Sequence, residues 1–122
     1  MKIQESAENY LETILILTQR QPSVRSIDIA NELGYSKPSV SIAMKHLRED
    51  ELVTVNEDGH IKLTPSGLAI AAKIYERHTL ISNLLVHLGV DPKVAAEDAC
   101  RIEHVISTES FEALKTHAKK HI

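Results

Sequence analysis

The sequence holds no tryptophan, one phenylalanine and three tyrosines in 122 residues. Any core must therefore be aliphatic, filled by Ile, Leu, Val and Ala. A single cysteine, Cys100, rules out an intramolecular disulfide and agrees with a reducing compartment. No apolar run approaches the roughly 18–20 residues that cross a bilayer. The opening Met1-Lys2-Ile3-Gln4-Glu5 lacks the apolar stretch of a secretion signal. These absences point to a cytoplasmic protein with no membrane contact. Internal repeats, low-complexity segments and long linkers are absent too.

What is present suits a folded domain. Apolar residues make up 43% and charged residues 25%, which excludes a disordered chain. The length allows one compact core with a small appendage. The net charge of −3 argues against a nucleic-acid partner on the bulk figure, but local charge argues the other way. Between Gly34 and Arg48 there is no acid, while Lys37, Lys45, His46 and Arg48 are present. Acids crowd the flanks at Asp28, Glu32, Glu49, Asp50 and Glu51, so one basic surface sits on an acidic protein.

Apolar residues recur at helical spacing at Ala7, Tyr10, Leu11, Ile14 and Leu17, with Ser6 as the expected N-cap. Pro22 ends this helix. A short helix is expected from a Ser26 cap through Leu33, with Ile27, Ala30 and Leu33 on its apolar side and Gly34 as its stop. Ser36 is expected to cap the next helix, with Pro38 in its first turn and Val40, Ala43, Met44 and Leu47 as its apolar stripe. Two short helices around a tight Gly-containing turn make a helix-turn-helix. The period then switches to that of strands, Leu52–Val55 and His60–Leu63, joined by Asn56-Glu57-Asp58-Gly59. A hairpin in that place is the wing of a winged helix. Thr64 and Pro65 open a long helix to about His87, Asp91 and Pro92 a fifth to about Ile106, and Ser107 a last one to about Lys120. The expected architecture is mainly α: a winged helix-turn-helix DNA-binding domain over 1–63, then a helical metal-binding and dimerisation domain over 64–122.

The helix from Lys37 begins with small polar residues, Ser36, Lys37, Pro38, Ser39 and Ser41, which let a helix end enter the major groove of double-stranded DNA. Arg25, Lys37 and Lys45, with Lys62 on the wing, are candidate phosphate contacts. A solvated helix in an ordinary helical domain would carry a few basic residues as well. The order helix-turn-helix then hairpin is much less common, and it favours DNA binding. A single such module rarely binds tightly, so a homodimer on a two-fold operator is expected. Leu84, Leu85, Val94 and Ile102 are candidates for its interface or for intramolecular core.

Cys100, Glu103 and His104 stand at i, i+3 and i+4 on the fifth helix, and so share one face of a single helix. Thiolate, carboxylate and imidazole together suit a divalent transition metal. Three such ligands leave positions open, for which Glu12 and His78 are the obvious donors, with Asn9 one turn before Glu12. Each residue also has an ordinary reading: Cys100 as core, Glu103 as an ion-pair partner of Arg101 or Lys120, His78 as a half-buried histidine.

The stretches Ser6-Ala7-Glu8-Asn9-Tyr10-Leu11-Glu12-Thr13-Ile14, Ile29-Ala30 through Ser36-Lys37-Pro38-Ser39-Val40-Ser41, Leu63-Thr64-Pro65-Ser66-Gly67, Arg77-His78 and above all Glu97-Asp98-Ala99-Cys100-Arg101-Ile102-Glu103-His104 resemble the diphtheria toxin repressor family of metal-dependent bacterial repressors, over nearly the whole chain. The resemblance implies that Fe(II) or Mn(II) acts as co-repressor, drawing the first helix toward the long and fifth helices. That would set the two reading heads of a dimer at the spacing of a palindromic operator and repress metal-uptake genes. It also implies a mixed ligand set. Iron-type members carry Cys where Cys100 stands, whereas manganese-type members carry an acid there and two acids at the positions of Asn9 and Glu12. Ser82 and Ala96 replace the acid and histidine of the iron-type ancillary site, which leaves His78 for the primary cluster. The chain also ends before the SH3-like domain of the longer members, as in the short, manganese-type form. Thiolate softness leans toward Fe(II), and Co(II), Ni(II) and Zn(II) are expected to bind in vitro.

Two other classes compete. One is a winged-helix factor gated by an organic ligand or by thiol redox at Cys100. The other is a hydrolase using Cys100 with His104, which the sequence disfavours because no third orienting group and no substrate pocket is evident. No catalytic residue is expected.

Overall fold

The computed structural model describes residues 2–121, with side chains from Glu5 onward. The chain divides into two compact units, 1–72 and 73–122.

The first unit holds α1 (Lys2–Arg20), α2 (Ser26–Leu33), α3 (Lys37–Glu49), β1 (Val53–Val55), β2 (Ile61–Leu63) and the start of α4 (Pro65–His87). The helical stripe of α1 is realised: Tyr10, Leu11, Ile14 and Leu17 are buried, and with Ile29, Ala30, Val40, Met44, Leu47, Val53, Ile61 and Ala71 they form one aliphatic core. Ser36 caps α3 as expected, accepting a hydrogen bond from the Ser39 N–H at 3.3 Å, with Pro38 in the first turn. Gly34 adopts φ 72°, the left-handed conformation that closes α2. The strands pair antiparallel in the register Val53↔Leu63, Thr54↔Lys62 and Val55↔Ile61. The Asn56 side chain holds their turn, its Oδ1 accepting from the N–H groups of Asp58 and His60, both at 2.9 Å.

Three local expectations are corrected. Helix α1 begins at Lys2, so Ser6 is an interior residue and not its cap; the polar run before Ala7 continues the helix because nothing in it breaks one. Helix α2 already includes Ser26 and is capped at Arg25, whose N–H donates to Asp28 Oδ2 at 2.8 Å. The acid three residues on thus bonds the cap residue's own N–H, in place of a bond accepted by a Ser26 cap. Its buried side is Ile29 and Ala30, while Ile27 is 37% exposed.

The second unit holds the rest of α4, then α5 (Pro92–Ile102) and α6 (Thr108–His121). Asp91 caps α5 through the N–H groups of Lys93 and Val94, and Ser107 Oγ accepts from the Ser110 N–H at 3.0 Å. Ile74, Ile81, Ala95, Ala99, Phe111 and Ala118 are buried. Helix α5 stops at Ile102, short of the expected Ile106. The Ile102 carbonyl accepts from both Val105 and Ile106 at 3.0 Å, which tightens the chain into a turn toward α6. No helix among the described residues is long and apolar enough to cross a membrane.

Candidate metal centre and nucleic-acid face

Glu103 and His104 therefore do not lie in the body of one helix with Cys100, as their spacing predicts; they occupy the turn that follows it. Glu103 keeps helical backbone, with φ −58° and ψ −28°, and its N–H still bonds the Ala99 carbonyl at 2.9 Å. The i, i+3 relation to Cys100 therefore survives the end of the helix. Helix α4 presents His78 to the same place. Its ring Nδ1 lies 3.7 Å from Cys100 Sγ and 3.4 Å from Glu103 Oε1. The three residues offer sulfur, nitrogen and oxygen donors, all within 4.8 Å of one another. His104 Nε2 lies 4.0 Å from Glu103 Oε1.

Burial differs sharply across this group. Glu103 is fully buried, His78 is half-buried and Cys100 is exposed. A core role for Cys100 and a surface ion pair for Glu103 are both excluded by these positions. Among the described residues neither carboxylate oxygen of Glu103 accepts a well-formed hydrogen bond, and the His78 ring is its ion-pair partner. An ionised carboxylate out of water costs several kcal/mol unless positive charge or donors offset it. Positive charge is available: the Cys100 thiol first, and the Glu103 carboxylate second, hold the His78 imidazole far above its ordinary range, up to about 10, against the opposing effect of burial. The cluster thus binds a proton where a cation with lone-pair ligands would also fit. A borderline divalent ion matches its mixed donors.

Asn9 and Glu12 lie on α1 in the first unit. Glu12 is buried, and Asn9 is half-buried with its carbonyl accepting from Thr13 Oγ1 at 2.8 Å. The other sequence-derived candidates, Arg25, Ser36, Lys37, Pro38, Ser39, Ser41, Lys45 and Lys62, are all exposed. Those on α3 are exposed, whereas Val40, Met44 and Leu47 of the same helix are buried.

Sequence reasoning missed three residues. Ile42 stands 59% exposed among the polar residues of α3, where an apolar side chain suits the methyl group of thymine. His60 Nε2 lies 3.1 Å from Arg25 Nη2 and so joins the wing to the start of α2, a contact across 35 residues that no local pattern encodes. Arg77, beside His78, is 6% exposed and donates from Nη1 to the carbonyls of Glu103 at 3.1 Å and Ile106 at 2.9 Å. Its helical position alone carried a signal, because it shares the buried face with Ile74 and Ile81 at spacings of three and four.

Residues 2–61 match the family described as the iron dependent repressor, N-terminal DNA binding domain, and residues 64–120 match its metal binding and dimerisation domain. The transcriptional regulator MntR of Escherichia coli is 33% identical over 117 residues, covering 96% of this chain and 76% of the relative. The diphtheria toxin repressor of Corynebacterium diphtheriae is 34% identical over 106 residues, covering 86% of this chain and 47% of that one. Among solved structures, the manganese regulator SloR aligns with a TM-score of 0.81 at 30% identity, over 93% of this chain and 53% of the SloR chain. The chain thus spans about half the length of SloR and about three quarters of MntR. Two domain matches in the family's order, and a relative of that identity over nearly the whole chain, show that this protein belongs to the iron-dependent repressor family.

Proposed function

We propose that this chain is a DNA-binding transcriptional repressor with Fe(II) or Mn(II) as its co-repressor, acting as a cytoplasmic homodimer on a palindromic operator of metal-uptake genes. It is a regulator and not an enzyme. Residues 1–63 read DNA and residues 64–122 sense the metal and dimerise. The observation that carries the reading is Glu103: fully buried, with no well-formed hydrogen bond to either carboxylate oxygen among the described residues, beside an imidazole and a thiol. Such a carboxylate is costly in a merely structural role and useful as a ligand. His78, Cys100, Glu103 and His104 are the ligands assigned to the helical half, with Asn9 and Glu12 on α1 as the further donors. A bound divalent ion supplies the charge that lets these groups stay together unprotonated. The chain's own part is selection: a conformation in which its donors converge is favoured in proportion to how much better it binds. Arg25, Lys37 and Lys45 position the duplex through phosphates, and the start of α3, from Ser36 to Ser41, meets base edges.

The test is an anaerobic titration of a duplex operator, selected from a random pool, with Fe(II) and with Mn(II). Operator affinity should rise steeply with metal, and Glu103→Ala should abolish the rise. Equal affinity with and without metal would sink the reading.

A further inference from the structure

We infer that Arg77 is a positioning residue for the metal centre, and that it does so by holding the α5–α6 turn on which Glu103 and His104 sit. The inference rests on the metal-sensing reading above. The backbone ladder of α5 reaches the Ile102 carbonyl, which Ile106 still bonds, and the carbonyls of the turn beyond it need donors from elsewhere. The guanidinium of Arg77 supplies them. Nη1 donates to the Glu103 carbonyl at 3.1 Å and to the Ile106 carbonyl at 2.9 Å, spanning the turn from end to end. Nη2 lies 3.5 Å from Thr108 Oγ1 at the start of α6, and the guanidinium lies over the Phe111 ring, 5.5 Å from its centroid. One side chain of α4 thus meets the backbone of a candidate ligand, the far end of its turn, and two residues of the next helix. The neighbour of Arg77 in sequence is His78, which approaches the same Glu103 by its side chain. Adjacent residues of α4 therefore hold Glu103 twice, by backbone and by carboxylate.

The chemistry explains why arginine stands there. A planar fork with five donors reaches two carbonyls and a hydroxyl while stacking on a ring, and an ammonium group cannot do all of these. Partners that orient metal ligands typically change affinity 10- to 100-fold when removed. The role is distinct from structural packing in general: the Lys115–Glu76 ion pair, at 2.8 Å, also ties α6 to α4, with neither residue in the turn.

The experiment compares the full chain with Arg77→Lys and with Lys115→Met as a control. Three quantities are read: Mn(II) affinity by electron paramagnetic resonance, the Co(II) ligand-field spectrum, and hydrogen exchange of the Glu103, Val105 and Ile106 amides without metal. Arg77→Lys should weaken Mn(II) binding about 10- to 100-fold, change the Co(II) band intensities and speed exchange in the turn. Lys115→Met should leave all three as they are. Should Arg77→Lys fail to fold, Phe111→Leu keeps a buried apolar side chain but removes the ring beneath the guanidinium, and it should weaken Mn(II) binding several-fold with the same spectral change. Wild-type affinity and spectrum in the folded variant overturn the assignment to Arg77. A wild-type chain that takes up neither metal overturns the metal reading itself.

Discussion

Metal uptake by the His78–Cys100–Glu103 cluster should release protons at neutral pH, and the structure sets the minimum count. Cys100 first and Glu103 second raise the His78 imidazole to about 10, so near pH 7.5 it carries two ring protons. A ligating imidazole carries one at most, and a ligating thiol none. Loading therefore expels at least one proton. One proton per metal makes affinity rise about tenfold per pH unit, so the Kd for Mn(II) should fall about 100-fold from about pH 6.5 to about pH 8.5. The metal-free fold has the opposite dependence. Because the folded value lies above the ordinary 6.5, the protonated ring stabilises that fold fully below about pH 6.5, and the contribution is lost as pH rises through about 10. Calorimetric titration with Mn(II) in buffers of different ionisation enthalpy counts the protons directly. Cys100→Ser removes the largest cause of the shift and should lower the count. A Kd independent of pH, with heats independent of buffer, would refute the reasoning.

Other outcomes follow from single contacts. A Cβ on Gly67 would collide with the Leu52 backbone carbonyl, so Gly67→Ala should cost about 2–3 kcal/mol and lower Tm by roughly 10–15 °C. Gly34 has open space around it but φ 72°, so Gly34→Ala should cost only about 1 kcal/mol; thermal melts giving the reverse order would contradict both. Lys45→Ala should weaken operator binding uniformly across sequences and reduce the slope of log K against log salt by about 1, read by fluorescence anisotropy. Asn9→Asp should shift the operator response from Fe(II) toward Mn(II) in parallel anaerobic titrations, and an unchanged ratio would remove Asn9 from the ligand set.

The fold was legible where one local rule acted alone. Periodicity places the buried face of α1, the cap of α3 and the opening of α4 because each depends on neighbours within a turn of helix. The start of α1 was not legible, since the polar residues before Ala7 permit a helix without marking its end. Helix α2 shows competition between local rules: Ser26 is a good cap, but Asp28 bonds the Arg25 N–H and moves the start back by one. The end of α5 was set at a distance. Nothing in Glu103-His104-Val105-Ile106 breaks a helix, and the partner that takes the carbonyls of Glu103 and Ile106, Arg77, lies at least 26 residues earlier, beyond the reach of any local rule. The candidate site was legible as a list of residue types at helical spacing. Its order of burial was not, because that depends on which face of α4 meets the turn.

That order of burial gives the donors different tasks. Glu103 is at 0% exposure, and among the described residues its carboxylate is met by the His78 imidazole at 3.4 Å without a well-formed hydrogen bond, so it is the charge the site must keep matched. Cys100 is exposed, so replacing it disturbs little packing. On the proposed reading, a soft thiolate at the accessible position should tune which ion is preferred, whereas the buried carboxylate should decide whether any ion binds. Cys100→Asp exchanges soft sulfur for hard oxygen and should raise the ratio of Mn(II) to Co(II) affinity with binding retained. Glu103→Gln keeps the shape but removes the charge, and it should abolish binding of both ions. Loss of both ions in Cys100→Asp, or retention of both in Glu103→Gln, would mean that burial does not divide the roles in this way.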